Sequence, residues 1–323
     1  MPVAEVGDTF LHYEVAGTGE PMLWITGFAI SSVIFEPVLP AYTSRFTCIS
    51  YDNRGAARST GGTAPVSIPQ LAADAAALLD HLDVDSAHVH GLSMGGMVAQ
   101  EMAIRFPDRV RGLVLGGSSP GGPRGGLRLA ELRLLVREVL AGRHADVRAK
   151  VAEGVLFSPR FRREHPEVVD ATLRGIARHR SDAAGILSHL AAGLYHETWS
   201  RLPRIAAPTL VVHGGADSLV PLRSAELLAA RIPDAELAVV PGVGHGYLLE
   251  DPETSRALVL DWFDRRSPIT PGPQPSTLDV VTEPVTRALG LPLGLWRTGV
   301  GTARLVAEEG TRRVGRVLRQ GVG

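Results

Sequence analysis

A chain that runs a β-branched strand into a glycine-flanked serine, and goes straight on into a helix, has few ways to fold. Residues 86–100 read Ser-Ala-His-Val-His-Gly-Leu-Ser-Met-Gly-Gly-Met-Val-Ala-Gln, with Ser93 at the centre of a G-x-S-x-G spacing and a helix-forming stretch, Met97 to Arg105, after it. Such a turn forces its middle residue into a strained backbone conformation, and Gly91 and Gly95, which lack a Cβ, let the two arms pass close together. The Ser93 hydroxyl then stands clear of the sheet, over a helix N-terminus that favours developing negative charge. G-x-S-x-G by itself arises by chance in glycine-rich chains. The strand before it and the helix after it read this serine as a nucleophile rather than as the cap of a tight turn.

A serine at its free pKa is a poor nucleophile, so this reading demands a base and a group to orient it. Residues 208–217, Pro-Thr-Leu-Val-Val-His-Gly-Gly-Ala-Asp, form an apolar strand pattern that ends in a glycine turn carrying Asp217; residues 236–245, Glu-Leu-Ala-Val-Val-Pro-Gly-Val-Gly-His, form another whose following loop carries His245. In a parallel sheet the strand C-termini share one edge, so both side chains are expected beside Ser93. His245 would take the serine proton, and Asp217 would fix its tautomer and stabilise the imidazolium. Glu250 and Asp251 are substitutes for Asp217, but they follow His245 closely and precede Pro252 at a helix start, where carboxylates are expected anyway.

The alternating periodicities extend this picture. Strand patterns at 9–16, 20–26, 46–51, 86–91 and 110–116 interleave with helical ones at 68–82 and 95–105, and after residue 208 helices are expected near 222–231 and 252–265. Alternation of this kind predicts an α/β fold, a mostly parallel central sheet with helices on both faces. In the 68–82 helix, Leu71, Ala75, Leu78, Leu79 and Leu82 fall at core-facing spacing. Residues 119–200 break the pattern: a linker, Ser118-Ser119-Pro120-Gly121-Gly122-Pro123, leads into arginine-rich helical stretches around 127–142, 145–156, 166–178 and 181–197.

On Thr26-Gly27-Phe28, Asp52-Asn53-Arg54-Gly55-Ala56-Ala57-Arg58-Ser59, the serine turn, Gly214-Gly215-Ala216-Asp217 and Gly244-His245, the chain resembles the α/β-hydrolase fold superfamily over about residues 3–266. Within it the chain is similar to the small esterase, 3-oxoadipate enol-lactonase and cofactor-free haloperoxidase-like group. The resemblance implies a hydrolase core from 1–118 and 201–266, with 119–200 as a helical cap insertion over the site. Leu156, Phe157, Leu187, Leu190, Leu194 and Tyr195 are candidates for its lining, each read first as a packing residue. It also implies that the backbone N–H groups of Phe28 and Met94 form an oxyanion hole, where a preorganised donor is typically worth roughly 2.7–4 kcal/mol. Two departures stand out. The family usually has His-Gly where this chain has Thr26-Gly27, which is expected to alter how the oxyanion loop is anchored. It usually has a glycine where Ala57 stands, which is expected to matter little.

The implied activity is hydrolysis of a carboxylic ester or lactone through an acyl-serine, with no metal or organic cofactor and a small-molecule substrate. Thioester, carbon–carbon and perhydrolytic chemistry run on the same three residues, and a non-catalytic binding or tethering protein on this scaffold is the competing class. A serine at the turn disfavours the epoxide hydrolases and haloalkane dehalogenases of this fold, which use aspartate there. His88 and His90 form a His-x-His pair that can bind metal, but no third ligand stands at a suggestive spacing, and the apolar strand reads them as core groups. His213 is expected beside the acid, and Asp52 and Arg54 are expected to pair and hold their own loop.

The net charge of −1 gives no global electrostatic case for nucleic acid. The lone cysteine, Cys48, excludes an internal disulfide and lies in an apolar strand pattern. No basic run followed by an apolar one opens the chain, and no stretch approaches the roughly 20 apolar residues of a membrane-spanning helix, so a cytoplasmic location is expected. Residues 267–323 differ in kind. Pro268, Pro271, Pro273 and Pro275 mark a linker; beyond it Trp296, Val300, Ala303, Ala307, Val314, Val317 and Leu318 recur near helical spacing, with Arg297, Arg304, Arg312, Arg316 and Arg319 on other faces. Seven arginines against four acids give this tail +3, leaving −4 for the rest. A basic amphipathic helix within 283–320 can lie on an anionic membrane, a lipid body or a partner, or dock on its own domain.

Overall fold

The structure, a computed structural model, describes residues 2–61, 66–125 and 153–266. Eight strands, β1 (Val3–Val6), β2 (Thr9–Ala16), β3 (Glu20–Ile25), β4 (Phe46–Tyr51), β5 (Ala87–Leu92), β6 (Val110–Gly116), β7 (Thr209–Gly214) and β8 (Ala235–Val240), form one sheet in the order β1-β2-β4-β3-β5-β6-β7-β8. Only the β1–β2 and β2–β4 pairs are antiparallel; every pair from β4 to β8 is parallel. The expected α/β architecture is therefore present, with β1 added as an edge strand that the sequence reading did not contain.

Helices α1 (Ile68–His81) and α2 (Met94–Arg105) cover one face and α6 (Leu222–Arg231) extends that layer; α7 (Tyr247–Glu250) and α8 (Pro252–Arg266) lie on the other. Strand alternation sorts the core between them. Leu23, Ile25, Ile49, Val89, Leu113 and Val211 pack with Leu71, Ala75, Leu78, Val98 and Leu228. Met22, Trp24, Cys48, Val114, Leu210 and Val212 pack with Phe35, Tyr42, Val259, Trp262 and Phe263. Burying each large aliphatic or aromatic side chain contributes about 1.5–3 kcal/mol. α1 begins where Ser67 accepts the Gln70 N–H, with a proline in its first turn, so the sequence supplies both start signals. Burial drives the Cys48 thiol up to about 12, as befits a small core group held away from water.

Between β6 and β7 the described residues contribute α3 (Pro159–Glu164), α4 (Pro166–Arg178) and α5 (Ala183–Tyr195). α4 and α5 coincide with the helices expected at 166–178 and 181–197. The helix expected at 127–142, most of that at 145–156, and the linker and basic helix expected beyond residue 266 lie outside the described residues. Among the described residues no helix is long and apolar enough to cross a membrane.

Candidate active site

β5 ends at Leu92 and α2 begins at Met94, so Ser93 alone makes the turn, at φ 58° and ψ −120°. A left-handed φ on a residue with a Cβ is strained, and such residues persist only where the surroundings over-determine them. Here they do. The Ser93 N–H donates to the Gly116 carbonyl at 2.7 Å. A Cβ at Gly91 would stand 2.3 Å from the Gly95 carbonyl oxygen, and one at Gly95 would stand 2.2 Å from that of Ile25, so both glycines are sterically required.

Asp217 follows β7 in a turn that it caps itself, its Oδ1 accepting the Leu219 and Val220 N–H groups at 2.8 and 2.9 Å. Its Oδ2 lies 2.7 Å from His245 Nδ1. A ring nitrogen facing a carboxylate carries the proton, so this contact leaves His245 Nε2 as the basic nitrogen. Burial pushes the Asp217 carboxyl up, but the charge and hydrogen bond of His245 and the Val220 N–H outweigh it and hold the group below its ordinary value. His213 does stand beside the acid: its Nε2 is 2.9 Å from the Val220 carbonyl and 3.4 Å from Asp217 Oδ2.

His245 approaches the end of β6 from which Ser93 is held. A Cβ at Gly117 would lie 3.2 Å from the imidazole Nδ1 and Cε1, while the preceding Gly116 holds the Ser93 N–H. Ser93 and His245 thus flank one dipeptide, Gly116–Gly117. No hydrogen bond joins Ser93 Oγ to His245 among the described residues; bonds between nucleophile and base are often long until substrate closes them.

The loop after β3 comes to the same place. A Cβ at Gly27 would stand 3.3 Å from Ser93 Cβ and 3.8 Å from its Oγ. The N–H groups of Phe28 and Met94 have no backbone acceptor among the described residues, as the first residue of a helix leaves its donor free. Thr26, at the position where the related pattern carries histidine, is anchored by Asn53, whose Nδ2 donates to the Thr26 carbonyl and Oγ1, both at 3.1 Å.

One expectation changes in the loop after β4. Asp52 and Arg54 hold their loop but do not pair with each other: Asp52 takes Arg58 Nε at 2.7 Å and the Ser32 N–H at 2.6 Å, while Arg54 forks onto Asp74 at 2.7 and 2.8 Å and also bonds Asp8. The two side chains take different partners, Asp52 the Arg58 guanidinium and Arg54 the Asp74 carboxylate. Glu250 is no stand-in for Asp217. It accepts the Gly244 N–H at 2.9 Å, the Ser158 N–H at 2.5 Å and the Ser158 hydroxyl at 2.8 Å, tying the His245 loop to the end of the insertion. Asp251 caps α8 by accepting the Thr254 N–H at 3.0 Å. Among the lining candidates, Leu156 and Phe157 are buried in the core beneath the His245 loop, whereas Tyr195 is 90% exposed. His88 bonds Glu20 at 3.0 Å and His90 bonds the Tyr247 hydroxyl at 3.1 Å; among the described residues no three His, Cys, Asp or Glu side chains cluster as a metal site.

Ala57 carries φ 49°, so the missing glycine matters after all: a residue with a Cβ occupies the left-handed region there. Sequence reasoning also missed Ala29, at φ 47°, and the side chains around it, His189 and Ser181. Backbone donors and acceptors leave no mark in a side-chain pattern, and the partners are more than 150 residues away.

Comparison with known proteins gives the family and the fold. The family model for the α/β hydrolase fold matches residues 20–252. A putative carbamate hydrolase, RutD, of Azorhizobium caulinodans is 32% identical over 260 residues, 80% of this chain and 97% of the relative. Among solved structures, a thermophilic esterase from Thermogutta terrifontis is 27% identical with a TM-score of 0.71, covering 81% of this chain and 96% of its own. The enol-lactonase of Burkholderia xenovorans shares the fold, with a TM-score of 0.73 at 23% identity, covering 81% and 99% of the two chains.

Proposed function

The chain belongs to the α/β hydrolase fold family and is a hydrolase, and from that premise we propose that it cleaves a carboxylic ester or lactone through an acyl-serine intermediate. The observation that carries the reading is the 2.7 Å contact between Asp217 and His245 beside a serine held at φ 58°. An oriented imidazole next to a strained, outward-facing hydroxyl is the arrangement that nucleophilic acyl transfer requires.

In the first half-reaction Ser93 Oγ attacks the carbonyl carbon while His245 Nε2 takes its proton. The resulting oxyanion is met by the N–H groups of Phe28 and Met94, which have no backbone acceptor among the described residues. Collapse expels the alkoxide, which recovers the proton from His245. Water, deprotonated by the same imidazole, then releases the acid and regenerates Ser93. Asp217 stays ionised throughout and stabilises the imidazolium. Residues 119–200 act as a cap that shapes the space above Ser93.

The 32% relative named as a putative carbamate hydrolase supports a second reading. Attack on a carbamate carbonyl uses the same groups and differs in expelling an amine. A panel of esters, lactones and carbamates, run on the wild-type chain and on Ser93→Ala, separates the two by rate. Covalent labelling by a fluorophosphonate, lost in Ser93→Ala, tests the nucleophile. A folded wild-type protein that takes no label favours a binding protein on this scaffold over either.

A further inference from the structure

We infer that His189, a buried residue of α5, is a positioning residue for the oxyanion loop, holding the backbone next to Phe28 through the Ala29 N–H. The inference rests on the acyl-serine reading and deepens it. Ala29 is the residue after Phe28, it is buried, and its φ of 47° is one that alanine leaves readily when nothing restrains it. Both of its polar backbone groups are taken by side chains of the insertion. Its N–H donates to His189 Nδ1 at 3.1 Å, and its carbonyl accepts from Ser181 Oγ at 2.9 Å.

The tautomer of His189 follows from its other contact. Nε2 lies 2.7 Å from the Arg54 carbonyl, which can only accept, so Nε2 carries the hydrogen and Nδ1 presents a lone pair to Ala29. The imidazole is therefore a strut with a donor at one end and an acceptor at the other, joining the β3 loop to the loop after β4. Ser181 makes the parallel connection, since its Oγ also accepts the Ala57 N–H at 2.9 Å. Full burial favours the neutral ring, the only form that can accept from Ala29. The Phe28 ring packs edge-on to the imidazole, with centroids 6.4 Å apart. A strained alanine held at both polar groups fixes the chain one residue beyond the Phe28 N–H, so the aim of that donor depends on a side chain 160 positions later.

The test compares wild type, His189→Phe, His189→Asn and Ser181→Ala, with Ser93→Ala as the control on the reading itself. Asparagine places Oδ1 where Nδ1 stood and restores the acceptor for Ala29; phenylalanine keeps the bulk and removes it. On p-nitrophenyl acetate, His189→Phe should lower kcat by about 10²-fold, the size expected of a misplaced catalytic geometry, with KM nearly unchanged. His189→Asn should recover most of the loss. Amide exchange across residues 26–31 should speed up in His189→Phe and return towards wild type in His189→Asn. Ser181→Ala, which leaves the core filling intact, should show a smaller loss with the same kcat-only signature and serves if His189→Phe does not fold. Unchanged kcat and exchange in His189→Phe, or a loss that asparagine does not rescue, overturns the inference. Turnover retained in Ser93→Ala overturns the acyl-serine reading and the catalytic consequence with it, while exchange at Ala29 still reads whether His189 holds the loop.

Discussion

Asp217 and His245 are joined at 2.7 Å in a site where the other oxygen of the carboxylate is also engaged, by two backbone N–H groups. The carboxylate cannot rotate without breaking several of these bonds at once, so it fixes both the tautomer and the tilt of the imidazole. Asp217→Asn keeps the shape and the turn-capping oxygen but can present an amide N–H to Nδ1, which favours the wrong tautomer. The expected outcome is a fall in kcat of about 10³- to 10⁴-fold with little change in KM, measured on a short p-nitrophenyl ester. A loss of less than tenfold would mean that some other group orients His245.

Acid should weaken this protein well before its carboxylates protonate. Burial lowers the pKa of His90 to about 3 and of His196 to about 4, and also lowers those of His88, His189 and His213. A histidine depressed in the folded state binds its proton more readily when unfolded. The stability this gives is complete above the unfolded value of about 6.5 and is lost as pH falls towards the folded value, at ~1.4 kcal/mol per pH unit per group. Asp52 and Asp217 are depressed too, and their contribution disappears only below about 4, the ordinary carboxylate range. Urea midpoints should therefore drop between pH 6.5 and 5. His90→Leu should reduce the slope there by the equivalent of one proton.

Much of this molecule can be read from its residues because the relevant signals are local. The 68–82 periodicity is α1 to within a residue at its end, and Ser93 turns where the glycines require it. β1 carried no signal: four residues, Val-Ala-Glu-Val, buried on one side only at the sheet edge, hold too few alternations to register. Asp52 and Arg54 look like a pair at a spacing of two, yet each finds another partner, Arg58 of the same loop and Asp74 of α1. Ser93, Asp217 and His245 are legible because each follows a strand. The groups that hold the loops around them are not, because Glu250, His189 and Ser181 act on backbone N–H and C=O groups that every residue possesses.

Ala57 offers a direct measure of stored strain. Its φ of 49° lies in the region where an L-residue loses roughly 1–2 kcal/mol, whereas glycine pays only its larger unfolded-state entropy. Ala57→Gly should raise the unfolding free energy by up to about 1 kcal/mol, read as a higher denaturant midpoint at an unchanged m-value, and Ala57→Val should lower it by more than that. Activity is expected to follow wild type in the glycine variant, since the Ala57 N–H and its bond to Ser181 are retained. A destabilised glycine variant would show that the alanine methyl contributes packing that outweighs its backbone strain.

Glu250 joins the histidine loop to the insertion, and its removal should be felt in both. One carboxylate oxygen gathers the N–H groups of Gly244 and Ser158, residues 86 positions apart, and the other takes the Ser158 hydroxyl. Next to them the Gly246 N–H donates to the Leu156 carbonyl at 2.6 Å, so the loop on both sides of His245 is stitched to the same short stem. Glu250→Ala strands two largely buried N–H donors, a penalty of about 1–3 kcal/mol for each one that water does not reach. Glu250→Gln keeps an amide oxygen for one of them and loses the charge-assisted part. The expected order of thermal stability is wild type, glutamine, alanine. Activity should fall in the same order, with kcat dropping while the Ser93 label still forms, because Ser93 is intact and His245 is loosely held. A fully active, less stable alanine variant would assign Glu250 to folding alone and free the His245 loop from the stem.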